Sequence, residues 1–458
     1  MTPDPRPLTI REAGAALREG MLSTITLTES VLARIEATEP AINAYITITA
    51  ERAREAAARA DAELQAGRDR GPLHGIPFAL KDLYDTAGIR TTAGSSFLRE
   101  RIPTENAFVV TKLNDAGIVL TGKLNLHEFA FGTSSLNPHY GDVRNPWDPG
   151  RIAGGSSGGC GAAIAAGSCL GTLGTDTGGS IRIPASLCGI VGLMPTYGRV
   201  SRRGVLPLSW TLDHVGPLAR TVEDAALILN TIAGHDPEDP GSADLPTSDY
   251  TSELDRGLAG VRVGVPRDPF WLQCRDDVAA ACEGALETLQ ELGATLVTVA
   301  LPLEAAAGRL SIIWTEAAAY HHERLREAPK RFGADVRTAL EGGRAIPAVN
   351  YINDQRLRRK LIEEASAVLR EVDVLVSPTT PATAPPLRVG DPQRLMARYT
   401  FRYDVTGIPA LSLPCGFDAN GLPIGLMIGA RHFDEVTLCR VAHAYEQATD
   451  WHTQQPAL

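Results

Sequence analysis

The sequence predicts an α/β fold, with a β-sheet covered by helices on both faces. From Gly71 onward, short apolar runs alternate with amphipathic helical segments, which is the pattern of strands joined by helices. A length of 458 residues alone would suggest about three domains. However, no Gly/Ser linker, low-complexity run, charge block or internal repeat divides the chain. The sequence therefore offers no support for separate domains.

The N-terminal region, residues 1–70, is predicted to form a helical layer against the body of the protein. Residues 26–29 fit the capping-box pattern Thr-x-x-Glu, and Val31, Leu32 and Ile35 then repeat at helical spacing. A second, alanine-rich helix is expected over residues 50–66 and ends at Gly67.

The later elements follow in alternation. Apolar runs predict strands at residues 76–80, 118–120, 261–265, 294–300, 372–376 and 424–428. Helical spacing of apolar residues predicts helices at residues 105–116, 160–167, 221–233 and 277–292. The segment from 261 to 300 is a plausible βαβ unit, which predicts a parallel strand pair.

Composition and charge exclude several classes of protein. A net charge of −10 argues against a general nucleic-acid surface, because phosphate binding draws on clustered Lys and Arg. We find no signal-peptide pattern, and no window approaches the roughly 18 apolar residues of a membrane span. The seven cysteines include no Cys-x-x-Cys pair, which favours a reducing compartment over a disulfide framework or a zinc site. We therefore expect a cytoplasmic protein without a nucleic-acid or membrane partner, metal or cofactor.

Two glycine-rich turns that carry serines are the most informative part of the chain. Residues 154–159 read Gly-Gly-Ser-Ser-Gly-Gly, and residues 174–182 read Gly-Thr-Asp-Thr-Gly-Gly-Ser-Ile-Arg. Glycine permits backbone angles that let amide N–H groups converge on one point, as a tetrahedral oxyanion requires. The first run alone would be more typical of a flexible turn or an anion-binding loop. A P-loop is excluded, because no Gly-Lys-Ser/Thr follows the glycines.

Ser180 is the candidate nucleophile for acyl transfer. It follows Thr177, Gly178 and Gly179, whose N–H groups together with its own could stabilise a developing oxyanion. Cys160 is the only cysteine next to the motif. We interpret it as a small buried residue, because no histidine in the motif region could activate it.

Lys81 is the candidate base. Lysine is a base only when it is neutral, which requires burial, and the apolar residues 76–80 before it make burial plausible. Ser156 could then pass a proton between Ser180 and Lys81. No histidine lies in either serine turn, and we interpret the nearest ones as structural or pocket-lining residues: His74, His127 and His214.

With these residues in place, the chain closely resembles the amidase signature family, serine amidases built on a Ser-Ser-Lys triad. The family's signature matches residues 154–182, and its upstream lysine segment matches residues 75–82. The gaps agree as well, with 75 positions from Lys81 to Ser156 and 24 from Ser156 to Ser180. The resemblance covers nearly the full length and is weakest between 235 and 370, with further matching segments at residues 122–129, 144–147, 213–217, 407–410 and 425–427.

The resemblance implies one α/β domain, residues 1–458, with a large, mixed, twisted sheet flanked by helices. It makes Ser180 the nucleophile, Ser156 the relay and Lys81 the base, and it places a cis peptide between residues 155 and 156. Supporting roles around the triad fall to Gly155, Ser157, Asp176 and Arg182. Within the domain we expect a signature core at 71–234, a variable substrate-region insertion at 235–370 and a return to the core sheet at 371–458.

The implied reaction is hydrolysis of the C–N bond of a linear amide through an acyl-enzyme intermediate. We expect a stand-alone enzyme for small aryl or apolar amides or for carbamates, as in aryl acylamidases and urethanases. This expectation rests on the absence of a membrane segment and of an obvious carboxylate-binding Arg cluster near the motifs. The sequence leaves a homodimer open.

Two alternatives remain. The first is the glutaminase component (the A subunit) of a tRNA-dependent amidotransferase, which would need partner subunits. Against it, no Asp-Gly-x-x-x-Gly stretch occurs between 310 and 345, where residues 314–321 read Trp-Thr-Glu-Ala-Ala-Ala-Tyr-His. The remote second alternative is a catalytically silent binding protein, which the complete triad does not support.

Overall fold

The computed structural model describes residues 7–267, 273–301, 311–388 and 393–458. Its strands are β1 (Tyr45–Ile48), β2 (Pro77–Lys81), β3 (Val119–Leu124), β4 (Arg144–Asn145), β5 (Asp148–Ile152), β6 (Gly171–Asp176), β7 (Val191–Met194), β8 (His214–Ala219), β9 (Arg262–Pro266), β10 (Thr295–Val299), β11 (Val374–Pro378), β12 (Ala410–Phe417) and β13 (Pro423–Ala430).

Eleven of these strands form one mixed sheet in the order β1-β3-β2-β6-β8-β7-β12-β13-β11-β9-β10. Strands β3, β2 and β6 are parallel neighbours, as are β11, β9 and β10. The other neighbouring pairs in this sheet are antiparallel. Strands β4 and β5 pair separately as a small antiparallel ribbon. The predicted large mixed sheet flanked by helices is thus confirmed.

The helices surround this sheet. They are α1 (Ile10–Arg18), α2 (Thr24–Ile42), α3 (Ala50–Gln65), α4 (Phe108–Asp115), α5 (Gly158–Ala165), α6 (Arg182–Cys188), α7 (Val222–Ile232), α8 (Asp276–Glu291), α9 (Ile312–Tyr320), α10 (His322–Glu327), α11 (Ala334–Arg344), α12 (Ala348–Glu371), α13 (Gln393–Met396), α14 (Phe401–Thr406) and α15 (Glu435–Gln447). Every residue of α5 and α6 is buried. Most side chains of α5 are small, which lets this helix lie close to the sheet.

The central strands lie in an apolar interior. Every residue of β2, β6, β8 and β11 is buried, as expected for strands with helices on both faces. The βαβ unit predicted between 261 and 300 is present, and β9 and β10 pair in parallel. The four predicted segments, residues 1–70, 71–234, 235–370 and 371–458, all contribute strands to the one sheet. The division of functions among these segments stays a prediction.

The predicted start of the helix that carries Val31, Leu32 and Ile35 is wrong. Residues 26–29 lie inside α2, which begins at Thr24, and its cap is Ser23, whose side chain accepts a hydrogen bond from the Thr26 N–H. The predicted N-terminal layer also missed two elements. Helix α1 begins with a complete capping box between Thr9 and Glu12, and β1 is an edge strand of the main sheet.

Candidate active site

Three neighbouring elements bring the candidate residues together. Lys81 ends strand β2, Ser156 lies just before helix α5, and Ser180 lies between strand β6 and helix α6. Strands β2 and β6 are adjacent and parallel, so their carboxyl ends lie at the same edge of the sheet. The two serine turns are joined directly, since the Ser157 N–H donates to the Ser180 carbonyl at 3.3 Å.

Lys81 is fully buried, and no carboxylate lies within ion-pair distance of it among the described residues. Its Nζ lies 2.8 Å from the Ser156 hydroxyl and 2.8 Å from the Thr175 hydroxyl. Burial lowers the pKa of the Lys81 ammonium from 10.5 to about 7, because the apolar surroundings disfavour the charge. A neutral amine can donate to Thr175 while it accepts a proton from Ser156. Sequence analysis missed Thr175, although it lies inside the signature segment.

The first serine turn is held rigidly. The peptide bond between Gly155 and Ser156 is cis, as the resemblance implies. The Ser156 carbonyl accepts from the His127 N–H at 3.1 Å and from the Ser135 hydroxyl at 3.2 Å. The Ser157 hydroxyl donates to the Thr175 carbonyl at 3.2 Å, so Ser157 joins this turn to β6. The Ser156 side chain is therefore enclosed, with no exposed surface, whereas Ser180 is 6% exposed.

The second serine turn is organised by Asp176. Its carboxylate accepts hydrogen bonds from the N–H groups of Gly179, Ile181 and Arg182. Gly179 has a φ of +124°, and a Cβ at this position would collide with Thr400, so the turn requires glycine here. The Gly179 N–H is thus occupied by Asp176, which corrects the expectation that it would stabilise an oxyanion.

Three other N–H groups of the turn are free. Those of Thr177, Gly178 and Ser180 donate to no acceptor in the part of the chain that the structure describes. The Gly178 carbonyl accepts from the Thr400 hydroxyl at 2.7 Å, and the Thr177 hydroxyl donates to Asp213 at 2.7 Å, so both peptides are fixed in orientation. Fixed, unpaired N–H groups beside a serine hydroxyl can stabilise a developing negative charge.

Arg182 is the buried cation behind the turn. Its guanidinium donates to Asp176 at 2.9 Å and to Asp404 at 2.6 Å, and all three side chains are inaccessible to solvent. Although burial by itself would raise the pKa of Asp176, Arg182 holds that pKa well below its usual range. Burial and repulsion from Asp176 raise the pKa of Asp404 well above its usual range. The Arg182 guanidinium therefore favours the ionised form of Asp176 more than that of Asp404.

The histidines do not enter the triad. His214 lies behind the second turn, with Nδ1 3.3 Å from the Asp176 carbonyl, and burial lowers its pKa to about 3, so it is neutral. His127 pairs with Asp335 at 2.8 Å, and His74 lies 3.2 Å from Glu63. Cys160 is buried, and burial raises the pKa of its thiol to about 11, which agrees with the interpretation of an unreactive residue.

A further cation, Arg358, lies against helix α14 and the Tyr197 ring. Its Nε donates to the Val405 carbonyl at 2.9 Å, and its guanidinium lies 5.9 Å from the centre of the Tyr197 ring. The Tyr197 ring in turn packs edge-on against His214, with ring centres 5.6 Å apart. Burial lowers the pKa of the Arg358 guanidinium, and no carboxylate lies within ion-pair distance of it in the described residues. Arg358 lies in the segment where the resemblance is weakest, and a lone arginine on a charged helix carries no signal in sequence.

The described residues contain no group of His, Cys, Asp and Glu side chains arranged to hold a metal ion. None of the helices described is both long and apolar enough to span a membrane.

Comparison with known proteins agrees with this site. A protein-family model described as Amidase matches residues 26–439. The chain belongs to this family, the amidase signature family. The match spans both serine turns and the Lys81 segment, so the resemblance drawn from the motifs is confirmed.

Three relatives illustrate the range of the family. The chain is 44% identical to the A subunit of the glutamyl-tRNA(Gln) amidotransferase of Chloroflexus aurantiacus, over 98% of both chains. The solved A subunit of the Thermotoga maritima glutamyl-tRNA(Gln) amidotransferase is 33% identical with a TM-score of 0.82, over 98% of this chain and 96% of that one. A chain solved in a vestigial protein complex, described as revealing the evolutionary origins of an s-triazine catabolic enzyme, is 37% identical with a TM-score of 0.92, over 96% of this chain and 98% of that one.

Proposed function

We propose that this chain is a serine amidohydrolase with Lys81, Ser156 and Ser180 as its triad, and that it releases ammonia from glutamine as the A subunit of a tRNA-dependent amidotransferase. The observation that carries the chemistry is the position of the buried Lys81. Its Nζ lies 2.8 Å from the Ser156 hydroxyl, and no carboxylate among the described residues lies within ion-pair distance of it. Two observations support the substrate: Arg358, which has no ion-pair partner among the described residues and contacts helix α14, and the similarity to the A subunits of amidotransferases.

The first half of the reaction forms an acyl-enzyme. Neutral Lys81 accepts the hydroxyl proton of Ser156, and Ser156 accepts the hydroxyl proton of Ser180 as Ser180 Oγ attacks the carboxamide carbon. The carbonyl oxygen becomes an oxyanion, which the N–H groups of Thr177, Gly178 and Ser180 stabilise. The proton then returns through Ser156 to the amide nitrogen, the C–N bond breaks and ammonia leaves.

The second half of the reaction regenerates the enzyme. A water molecule attacks the ester carbon of Ser180 and gives its proton through Ser156 to Lys81. The tetrahedral intermediate collapses, Ser180 Oγ recovers a proton, and the acid product leaves. In both halves the buried lysine supplies the base.

Arg358 supports a substrate that carries a carboxylate. Helix α14 begins at Phe401, whose ring would lie 3.5 Å from a Cβ built on Gly178, and Val405 one turn later accepts the Arg358 Nε–H. At about 1.5 Å per residue, the two ends of this link are about 6 Å apart along the helix. Helix α14 thus contacts the turn before Ser180 at one end and Arg358 at the other, and a guanidinium can bind a carboxylate in bidentate fashion. This replaces the expectation of a site without a carboxylate-binding arginine and favours glutamine over aryl amides or carbamates.

A stand-alone amidase for small amides or carbamates is the second candidate. The missing Asp-Gly-x-x-x-Gly stretch favours it. The TM-score to the chain of the vestigial complex linked to the origins of an s-triazine catabolic enzyme, 0.92, also favours it, because it exceeds the 0.82 to the solved amidotransferase A subunit. If the small amide itself carries a carboxylate, Arg358 could bind it as well, and this residue then does not distinguish the stand-alone amidase from the amidotransferase A subunit.

The test is ammonia release by the purified chain from glutamine, aliphatic amides, aryl amides and aryl carbamates. We expect glutamine to be hydrolysed with the highest kcat/KM, and Arg358→Ala to raise KM for glutamine about tenfold or more. Ser180→Ala should abolish turnover, and exposed Ser252→Ala should leave it unchanged. Preference for amides without a carboxylate would contradict the glutamine proposal and favour the second candidate, whereas turnover that survives Ser180→Ala would contradict the triad.

A further inference from the structure

A buried carboxylate, that of Glu316, lies between helix α12 and the loop of residues 209–211. Glu316 is on helix α9 and is 1% exposed. Its oxygens accept from five donors: the Ser209 hydroxyl at 2.6 Å, the Thr211 N–H at 3.2 Å, the Thr211 hydroxyl at 2.8 Å, the Tyr351 hydroxyl at 2.8 Å and the Gln355 amide at 3.4 Å. All five donors are neutral, and no cation lies within ion-pair distance in the described residues.

The donors on α12 share a face with Arg358. Tyr351, Gln355 and Arg358 follow one another at spacings of four and three residues, which places them on one side of a helix. Gln355 also donates to the Tyr351 hydroxyl at 3.1 Å, so the three polar side chains of this contact are mutually fixed. By holding Tyr351 and Gln355, Glu316 fixes the rotation of α12 about its axis and hence the position of Arg358.

The donors on the loop lead to the nucleophile turn. The Ser209 N–H donates to Asp213 at 3.0 Å, and Asp213 accepts from the Thr177 hydroxyl at 2.7 Å. The Trp210 carbonyl accepts from the Tyr197 hydroxyl at 2.8 Å, and the Tyr197 ring is the surface next to Arg358. One carboxylate thus joins the helix that carries Arg358 to the loop that contacts the turn of Ser180.

We infer that Glu316 is a positioning residue that holds Arg358 at a fixed reach from Ser180, so that the site selects carboxamides bearing a carboxylate at that distance. The inference rests on the proposed function, because it takes Arg358 as the group that binds the substrate carboxylate. Glu316 does not touch the substrate in this account. Its effect is on the affinity for the carboxylate and not on the chemistry at Ser180.

The negative charge of Glu316 also favours carboxylate binding, because it favours the charged form of Arg358. Burial lowers the pKa of Arg358, and the negative charge of Glu316 opposes that effect. Because Glu316 forms no direct ion pair with Arg358, the guanidinium donors stay available to a ligand.

The test measures glutamine binding and Ser180 reactivity separately. In a Ser180→Ala background, calorimetry gives the Kd for glutamine without turnover. Loss of a charged hydrogen-bond acceptor should make that Kd about ten- to a hundredfold weaker in Glu316→Gln. Labelling of Ser180 by a fluorophosphonate, in the Ser180-intact protein, should keep its wild-type rate. The matched control is Glu363→Gln, since Glu363 is an exposed glutamate on α12, the helix of Arg358, and pairs with Arg359.

The possible outcomes separate this inference from the proposed function. Unchanged glutamine binding in Glu316→Gln, or equal losses of binding and labelling, would overturn the positioning role. If Ser180 is labelled but glutamine does not bind, the glutamine substrate and this inference both fail while the serine chemistry stands. If glutamine binds in a Glu316-dependent way but Ser180 is not labelled, the chemistry fails and the inference stands. Should Glu316→Gln not fold, Tyr351→Phe removes a single donor and should weaken glutamine binding about two- to fivefold.

Discussion

At the scale of single residues, the site depends on a lysine that loses its charge. In the described part of the chain, the hydrogen-bond partners of the Lys81 side chain are two hydroxyls, those of Ser156 and Thr175, and burial lowers its pKa to about 7. A base with this pKa is half neutral near neutral pH, which is where a proton acceptor is most effective. The serine pair alone could not supply such a base, because a hydroxyl is too weak.

The pH dependence of turnover follows from this pKa. Protonated Lys81 cannot accept a proton, so we expect kcat/KM to fall about tenfold per pH unit below pH 7 and to level off above it. The measurement is a pH–rate profile on a substrate that does not titrate in this range, with unfolding monitored at each pH. Full activity at pH 4 would contradict a neutral lysine base.

The same residue should make stability depend on pH. Between pH 7 and 10.5 the unfolded chain binds a proton at Lys81 that the folded chain does not, so the free energy of unfolding rises with pH across this window. Lys81→Met removes this dependence. The free energy of unfolding of Lys81→Met should therefore exceed that of the wild type by the largest amount at pH 7 and below, and this excess should shrink toward pH 10.5. Denaturant unfolding at several pH values measures it, and a constant difference at all pH values would contradict a buried neutral lysine.

At the scale of elements, the second serine turn is held by an asymmetric pair of carboxyl groups. Asp176 accepts hydrogen bonds from three backbone N–H groups and from the Arg182 guanidinium, whereas Asp404 contacts the same guanidinium and has a raised pKa. Because the raised pKa disfavours a charge on Asp404, Asp404→Asn should cost about 1 kcal/mol or less of unfolding free energy. Asp176→Asn leaves a buried cation without its anion and should cost about 3–5 kcal/mol.

Unfolding of both variants in denaturant measures this difference, and Asp434→Asn, on the partly exposed cap of α15, serves as control. Equal losses of unfolding free energy in Asp176→Asn and Asp404→Asn would show that the two carboxyl groups share the negative charge that balances Arg182.

The sequence predicted most elements but not their ends. Periodicity located α3 and α7 to within a residue or two, because their apolar faces are strong and their boundaries lie at glycine or at a capping threonine. It missed β1, since a four-residue edge strand with one buried residue has no periodic pattern. It placed the start of α2 at a Thr-x-x-Glu match that lies inside the helix, although Ser23 is the cap in the structure. When a sequence contains several candidate capping residues, the local pattern alone does not show at which of them the helix begins.

At the scale of the whole molecule, the sheet order assembles a site from distant segments. Strands β2 and β6 are neighbours in the sheet although 89 residues lie between Lys81 and Gly171, so only the fold brings the lysine to the serines. The proposed triad could be named from the sequence because Ser156 and Ser180 lie in glycine-rich turns and Lys81 lies in a segment at the matching gap before them. Arg358 and Glu316 could not, because their role arises from contacts among α9, α12 and the 209–211 loop that leave no local pattern.

The most direct test of the triad is covalent labelling with a fluorophosphonate, followed by peptide mapping. We predict one adduct, on Ser180, that is absent in Ser180→Ala and forms at least about a hundredfold more slowly in Lys81→Ala and Ser156→Ala. Lys360→Ala, a change of an exposed lysine, is the control and should label at the wild-type rate. An adduct on another residue, or labelling of Ser180 at an unchanged rate without Lys81, would contradict the account.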